Sequence, residues 1–368
     1  MDTERLPFVQ GMRGVAVLAV VLYHARVFIS GPSYLDLGPR LFDSGAAGVD
    51  LFFILSGFIM VHTTRRAPTG SAACIGFWAR RFARIWPVYA VAFVGMWAVT
   101  RGLANPAFHP TWRATANTFF FYPNEPGGAA PFFGYPLLHP GWSLNYEVLF
   151  YALFGAALLF GRWRYLVLAA AFAVCLIALP LALTGDVHLD ATRSYGLRGY
   201  LCLLTSPLVW EFLAGVAIGL LYHARWQWRD RGLAACVVAL SVTAVLWQCL
   251  SGYPSGHGLT GWGLPLTIMF LAVSQYDKAW RIAVPRWLTW LGDVSFSLYL
   301  WHVIPQMLQR QFPTSPLMKG VGLFVGSILA GCVLAYLSHR WLEQGLSTWV
   351  RRRLLAGLAR VKLVPARA

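Results

Sequence analysis

Apolar and polar positions alternate along this chain in long blocks rather than at single-residue periods. A transmembrane helix needs about 20 consecutive apolar residues, and ten blocks approach or reach that length. They span residues 11–29, 47–63, 85–100, 142–160, 163–183, 207–223, 232–250, 261–275, 291–309 and 320–341. The pattern predicts an all-α, polytopic membrane protein with about ten transmembrane helices. The eighth block is short, and the Pro and Gly residues within Phe119–Phe133 argue against a helix there.

Composition supports the membrane assignment. The 368 residues are 58% hydrophobic and only 12% charged, with a mean hydropathy of +0.56, which excludes an ordinary soluble domain. The net charge of +16 does not indicate nucleic acid, because the basic residues lie between apolar blocks and form no aromatic-interleaved surface. The six cysteines show no paired metal or redox spacing, so we expect packing roles and neither a disulfide framework nor a metal site.

The basic residues predict the topology. With a cytoplasmic N-terminus, 22 of the 30 lysines and arginines lie on the cytoplasmic side, so the positive-inside rule predicts that both termini are cytoplasmic. We assign residues 1–350 to one transmembrane domain and 351–368 to a basic cytoplasmic tail attracted to anionic headgroups. The first block lacks a convincing cleavage site, and we expect it to be retained.

The first block carries a cation and an imidazole. Arg13 and His24 are eleven residues apart, or about 16 Å along a helix, so Arg13 can lie at one membrane surface while His24 lies past the midplane. Ionisable groups within a membrane are costly and usually functional. The alternative is a positive-inside anchor followed by a histidine that only hydrogen-bonds a neighbouring helix.

The second block begins with Gly-Val-Asp-Leu-Phe-Phe-Ile-Leu-Ser-Gly-Phe from Gly48 to Phe58. Asp50 would enter the half of the membrane that His24 reaches from the opposite direction. We therefore expect a contact in which the Asp50 carboxylate orients the imidazole of His24 as a general base. The alternative is an exposed helix-start residue that the helix dipole favours.

Three arginines precede the third block. Arg80, Arg81 and Arg84 have offsets that place Arg80 and Arg84 on one helical face. Together with Arg13 they could clamp a phosphate group at the cytoplasmic surface. Positive-inside anchoring explains them equally well at this stage.

Further polar residues lie within the fourth and ninth blocks. Glu147 follows Trp142 and Ser143, and it is a candidate for acceptor binding or proton transfer from the non-cytoplasmic side. His302 lies at a depth similar to that of His24, and Tyr299 precedes it by three residues. Three other acids have local explanations: Asp293 as a helix N-cap, Glu211 as a dipole-favoured helix start, and Glu343 as a partner of Arg340.

Taken together, these segments resemble the acyltransferase 3 family of integral-membrane O-acyltransferases, in the short form without an extracytoplasmic hydrolase-like domain. The resemblance covers nearly the whole chain. It consists of five motifs in order: Arg13-x10-His24, Gly-Val-Asp-Leu-Phe-Phe-Ile-Leu-Ser-Gly-Phe, Arg-Arg-x-x-Arg, Trp-Ser-Leu-x-x-Glu and Ser-x-Ser-Leu-Tyr-Leu-Trp-His.

The resemblance implies specific roles. It implies acyl-CoA as the donor, most simply acetyl-CoA, an essential histidine at His24, and donor handling by Arg13, Arg80, Arg81 and Arg84. We expect His24, Asp50 and Glu147 to be catalytic. We expect substrate binding by four residues of the last two motifs, Trp142, Ser143, Tyr299 and His302.

The leading hypothesis is an O-acyltransferase, most simply an O-acetyltransferase, in the bacterial inner membrane. It would move an acyl group from cytoplasmic acyl-CoA to a carbohydrate acceptor, free or lipid-linked, with membrane lipid as its surroundings and no nucleic-acid partner. His24 would deprotonate the acceptor or carry the acyl group transiently. The alternative is a multi-span carrier for a lipid-linked sugar or another solute. The acceptor sugar, the acyl length and the oligomeric state are left open.

Overall fold

The computed structural model describes residues 5–102, 111–125, 127–253, 255–310 and 320–364. Within these ranges all regular secondary structure is helical, which confirms the all-α prediction. Part of the long loop 101–141, namely residues 103–110, and Lys319 from the charge count lie outside the described residues.

Sixteen α-helices occur in the described residues. They are α1 Pro7–Ala25, α2 Leu37–Phe42, α3 Gly48–Thr64, α4 Ser71–Gly102, α5 Trp112–Phe119, α6 Gly141–Ala157, α7 Arg164–Ala173, α8 Leu179–Thr184, α9 Leu201–Leu204, α10 Val209–His223, α11 Arg231–Ser251, α12 Leu264–Trp280, α13 Arg286–Trp301, α14 Val303–Arg310, α15 Val321–Ser338 and α16 Thr348–Arg360. Every predicted apolar block coincides with one or more of these helices.

Six helical stretches are long and apolar enough to cross a bilayer. They are Pro7–Ile29, Leu37–Thr64, Ser71–Thr100, Gly141–Thr184, Arg231–Ser251 and Val321–Arg360. The stretch Gly141–Thr184 is interrupted at Gly161, whose φ of 58° and ψ of −123° are non-helical, so α6 and α7 form two arms. Six spans are thus supported, while the number ten and the cytoplasmic termini stay predictions.

Helix α4 is longer than the sequence pattern predicts. It begins at Ser71 and includes Pro87 in its interior, so the basic residues at 80–84 belong to the helix that also forms the third apolar block. Proline within a membrane helix is tolerated because neighbouring groups compensate for the missing backbone donor. The arginines are therefore held on a rigid element.

The aromatic segment after α5 is irregular, as its Pro and Gly content predicts. The described residues 120–125 and 127–140 form turns and bends and no helix. Tyr89 of α4 donates a hydrogen bond to the Thr118 carbonyl at 2.7 Å, and Thr118 accepts the Leu137 N–H at 3.0 Å. These buried bonds fix the segment against the helical core.

Two close helix crossings position the polar side chains. Where α3 meets α10, a Cβ on Gly215 would lie 1.9 Å from the Ile54 carbonyl oxygen. Where α1 meets α13, a Cβ on Gly292 would lie 2.0 Å from the Gln10 carbonyl oxygen. Only glycine allows backbones to approach this closely within a membrane. The second crossing brings the ends of α1 and α13 into register.

Residues 351–360 of the predicted basic tail are helical. Residues His339–Ser347 form a π-helical segment that joins α15 to α16, and the helix runs through residue 350 without a break. Arg351, Arg352 and Arg353 are exposed on α16, which packs against α4. Assignment of 351–368 as a separate tail stays a prediction.

Candidate active site

A half-open cavity lies among α1, α3, α4, α6 and α13, and we call it the arginine cavity. Its volume is about 70 Å³. Three guanidinium groups line it, those of Arg13, Arg81 and Arg84. The other polar lining residues are Ser56, Ser143, Glu147, Tyr151, Ser295 and Tyr299.

Neighbouring helices hold the arginines in place. Arg13 donates a hydrogen bond to Ser295 Oγ at 2.8 Å and another to Gln10 Oε1 at 3.4 Å. The guanidinium of Arg81 lies 5.1 Å from the centre of the Tyr151 ring and 5.3 Å from that of Phe77. These contacts leave both side chains with donors for an anionic ligand.

Arg80 lies apart from the other residues of the predicted clamp. It does not line the cavity; it lies exposed on the face of α4 that carries Gly76, within electrostatic range of Arg351. Arg81 and Arg84 do line the cavity. Donor handling by Arg80 stays a prediction.

Glu147 shares a cavity with the arginines. It lines the arginine cavity, where it accepts hydrogen bonds from Tyr151 Oη and from Ser56 Oγ, the latter at 3.3 Å. Its carboxylate interacts electrostatically with Arg13 and Arg81. A role for Glu147 toward the acceptor stays a prediction.

Ser143 and Tyr299 lie at the inner part of the arginine cavity. Their hydroxyl groups are 2.6 Å apart, and Tyr299 also donates to the Pro140 carbonyl at 3.3 Å. The structure thus brings together the Trp-Ser-Leu motif of α6 and the Ser-Leu-Tyr motif of α13.

A second cavity adjoins the first, and we call it the histidine cavity. Its volume is about 290 Å³, close to the ~300 Å³ at which small-ligand sites begin. Val49 lines both cavities, and the consecutive residues Trp142 and Ser143 line one each. Among its polar lining residues are Tyr23, His24, Tyr135, His139, His257 and Gln306.

The hydrogen bonds of His24 specify its tautomer. His302 is 0% exposed, and its Nδ1–H donates to the Leu298 carbonyl at 3.0 Å, so its Nε2 is an acceptor. His24 Nδ1 lies 2.9 Å from the Val20 carbonyl and 3.3 Å from His302 Nε2. Because both partners are acceptors, Nδ1 of His24 carries the proton and Nε2 carries the lone pair. His302 therefore orients His24. It lines neither of the two cavities.

Asp50 has partners that the sequence did not indicate. Its carboxylate accepts a hydrogen bond from His257 Nδ1–H at 2.7 Å and from the Gly258 N–H at 2.9 Å. Both donors belong to the segment between α11 and α12. A contact of Asp50 with His24 and a catalytic role for Asp50 stay predictions.

The three acids with local explanations also have other partners. Asp293 lies inside α13 and pairs with Arg5. Glu211 is fully buried beside Asp50. Glu343 accepts hydrogen bonds from the backbone N–H and hydroxyl of Ser297 and pairs with His339.

Sequence reasoning missed His257. The residue lies in the stretch Gly-Tyr-Pro-Ser-Gly-His-Gly of residues 252–258, which carries no motif, and its partner is 207 positions away. The only signal in the sequence is Asp50 itself. An acid inside the second apolar block needs a buried hydrogen-bond donor from elsewhere in the chain. The cysteines within the described residues are free, as expected.

Comparison with known proteins shows the family of the chain. The family model described as an acyltransferase domain matches residues 6–340. The exopolysaccharide production protein ExoZ of Rhizobium meliloti (strain 1021) is 31% identical over 335 residues, covering 86% of this chain and 95% of its own length. The acyltransferase MdmB of Streptomyces mycarofaciens is 26% identical, covering 81% of this chain and 78% of its own.

A longer relative matches over the same region. The peptidoglycan O-acetyltransferase OatA of Listeria monocytogenes serovar 1/2a is 24% identical over 92% of this chain, which spans 55% of that protein. No solved structure matches significantly.

Proposed function

Since the chain belongs to the acyltransferase 3 family and is a membrane acyltransferase, we propose that it transfers an acetyl group from cytoplasmic acetyl-CoA. The acceptor is a hydroxyl of a cell-surface glycan or of its lipid-linked precursor. The enzyme acts in the bacterial inner membrane with both termini in the cytoplasm.

One observation carries the proposal: two cavities of different chemistry adjoin at Val49. One contains three guanidinium groups, and the other contains histidines, aromatic rings and a single guanidinium, that of Arg26, which pairs with Asp43. A donor with an anionic end and a reactive end needs the first, and a hydroxyl acceptor needs a base in the second. Their shared wall lets the two substrates meet.

The arginine cavity would bind the donor. Arg13, Arg81 and Arg84 bind the phosphates of CoA, because guanidinium groups form charge-assisted and bidentate hydrogen bonds to phosphate. The pantetheine arm extends inward past the Ser143–Tyr299 pair. The thioester then reaches Val49 and the histidine cavity.

His24 would act as the general base. Its Nε2 accepts the proton of the acceptor hydroxyl while that oxygen attacks the thioester carbonyl. Collapse of the tetrahedral intermediate forms the ester and breaks the carbon–sulfur bond, and the proton passes from His24 to the departing thiolate. His302 keeps Nδ1–H of His24 oriented through the 3.3 Å contact.

Two features support a carbohydrate acceptor. The histidine cavity is lined by Phe132, Tyr135 and Trp142, whose rings offer apolar faces to the C–H faces of a sugar. The relatives ExoZ and OatA are named for exopolysaccharide production and for peptidoglycan O-acetylation. A glycan fits both observations.

The test uses the full chain purified into lipid nanodiscs. We expect release of CoA from acetyl-CoA and an acetyl ester on polysaccharide prepared from the producing bacterium. His24→Ala should lower transfer by about 10²–10⁴-fold, the usual contribution of a general base, while CoA binding is retained. His188→Ala, a histidine of the loop after α8 that lines neither cavity, is the matched control.

Two results would reject the proposal. One is a His24→Ala variant with wild-type transfer. The other is glycan movement across liposome membranes without any thioester consumption, which would favour a carrier.

A further inference from the structure

A buried group of three ionisable side chains borders the histidine cavity outside the mechanism given above. His257 lines that cavity and is 8% exposed, whereas Asp50 and Glu211 are 0% exposed. Removing a carboxyl from water is costly unless it is paired or hydrogen-bonded. Two such groups at one place need an explanation.

Asp50 fixes the state of His257. Its two carboxylate oxygens accept from His257 Nδ1–H and from the Gly258 N–H. Since a carboxylate is only an acceptor, Nδ1 carries the proton of the imidazole and Nε2 carries the lone pair. The carboxylate of Asp50 therefore holds His257 in a single tautomer, as in other histidine–carboxylate pairs.

Glu211 completes the group from α10. Neither of its oxygens has a hydrogen-bond partner of good geometry in the described part of the chain, and the nearest polar groups are the Asp50 carboxyl and the Gly258 backbone. Two adjacent buried carboxyls are not both ionised. Asp50 has two hydrogen-bond donors, whereas Glu211 has none of good geometry among the described residues, so the two carboxyls lie in different environments.

The missing side chain of Gly263 leaves room for the Glu211 carboxyl. A Cβ on Gly263 would lie 2.1 Å from Glu211 Oε1, and 2.8 Å from the Gly258 carbonyl oxygen. Glycine is therefore required there for the carboxyl to fit. An acid pair that only filled space would be replaced at little cost by apolar residues.

Aromatic rings fix the plane of His257. Its ring centre lies 5.4 Å from that of Trp142, 5.8 Å from that of Phe132 and 5.2 Å from that of Trp262. The first two rings also line the histidine cavity. The imidazole is thus held by contacts on several sides and by a hydrogen bond behind it.

We propose that His257 binds the acceptor by accepting a hydrogen bond from a second hydroxyl group, beside the hydroxyl that His24 deprotonates. This inference rests on the proposed function. Asp50 and Glu211 are positioning residues that act through His257. The acceptor class is then a polyol, such as a sugar with neighbouring hydroxyls, because one hydroxyl faces each histidine.

The experiment compares CoA release with acetyl transfer in the same nanodisc reaction. The probes are acetyl-CoA labelled in the acetyl group and polysaccharide from the producing bacterium. In His257→Ala we expect transfer per CoA released to fall roughly tenfold or more, as for loss of an oriented hydrogen bond. CoA release continues because water takes the place of the acceptor and free acetate forms.

Additional variants separate positioning from folding. His257→Gln keeps a side-chain acceptor and should recover part of the coupling. Asp50→Asn removes the fixed orientation of the ring and should uncouple the reaction as His257→Ala does. His188→Ala should leave both readouts unchanged.

The remaining outcomes are decisive. Wild-type coupling in His257→Ala overturns the inference. An equal fall of CoA release and transfer in a variant that still binds CoA assigns His257 to structure alone and also overturns it. A wild-type protein that releases no CoA rejects the proposed function instead.

Discussion

At the scale of single residues, the partner of a side chain decides its chemistry more than its type does. His24 and His257 line one cavity, yet the first is oriented by another histidine and the second by a carboxylate. A carboxylate stabilises a protonated imidazole, whereas a neutral histidine does not. We assign the base to His24 because the family resemblance implies an essential histidine at that position, and we assign the carboxylate-held His257 to acceptor binding.

Glu147→Gln tests the role of the one carboxylate that lines the arginine cavity. Its carboxylate shares the arginine cavity with three guanidinium groups, and it opposes the polyanionic donor. Removing this charge should tighten CoA binding by about three- to tenfold, because the carboxylate repels the CoA phosphates and such repulsion is weakly screened at a partly buried site. Gln can still accept the hydrogen bond of Tyr151.

Equilibrium titration with CoA checks this prediction in nanodiscs. Weaker CoA binding would mean that Glu147 contacts the donor directly. Unchanged CoA binding with lost transfer would return Glu147 to acceptor chemistry, as the sequence suggested.

At the scale of elements, helix α4 divides its arginines between two faces. Arg81 and Arg84 line the arginine cavity, while Arg80 is exposed on the side near α16. Positive-inside anchoring does not distinguish among the three arginines. Donor binding does, because it requires a side chain that faces the arginine cavity.

Charge reversal separates these roles. Arg81→Glu or Arg84→Glu should weaken CoA binding roughly tenfold to hundredfold, because charge-assisted bonds to phosphate are lost. Arg80→Glu changes topogenic charge equally but should weaken binding far less. CoA titration of correctly inserted protein measures the effect, and equal losses for all three variants would favour general anchoring.

The crossing of α3 and α10 depends on glycine. Gly215→Ala places a methyl group 1.9 Å from the Ile54 carbonyl oxygen, so the helices must separate, at a cost of about 1–3 kcal/mol. We expect a lower midpoint of thermal unfolding in detergent. Gly322→Ala on α15, where nothing lies within 4 Å, is the control and should be neutral or slightly stabilising.

Comparable midpoints for these two glycine variants would show that the crossing does not need close backbone contact. A lower midpoint for Gly215→Ala alone would support it. The crossing also carries Asp50 and Glu211 on its two helices, so loosening it should disturb the His257 group.

At the scale of the whole molecule, the proposed function gives the two cavities a direction across the membrane. Under the predicted topology, the arginine cavity lies on the side where the positive-inside rule places most of the basic residues. Since CoA does not cross a bilayer, the proposed donor site then faces the cytoplasm.

Membrane vesicles of opposite orientation test this direction. Inside-out vesicles should consume added acetyl-CoA, whereas sealed right-side-out vesicles should consume it only after permeabilisation. Release of the CoA thiol gives the rate. Consumption by intact right-side-out vesicles would reverse the assigned topology and place the arginine cavity on the outer face.

The sequence by itself determined the features that depend on local composition. Apolar blocks predict helices because a helix satisfies its own backbone in lipid, and each predicted block is helical. The motifs with Arg13, His24, Ser143 and Tyr299 correctly marked residues that line the two cavities. Their spacing along single helices was enough for that.

Only the tertiary structure decided which polar groups meet. Asp50 pairs with His257 across 207 positions, Arg80 turns away from the cavity, and Glu147 joins the arginines. These outcomes depend on how far each helix is rotated about its axis and on close glycine crossings such as Gly215. Neither is specified by the hydrophobic pattern of one segment, because the pattern of a fully apolar helix is similar on all sides.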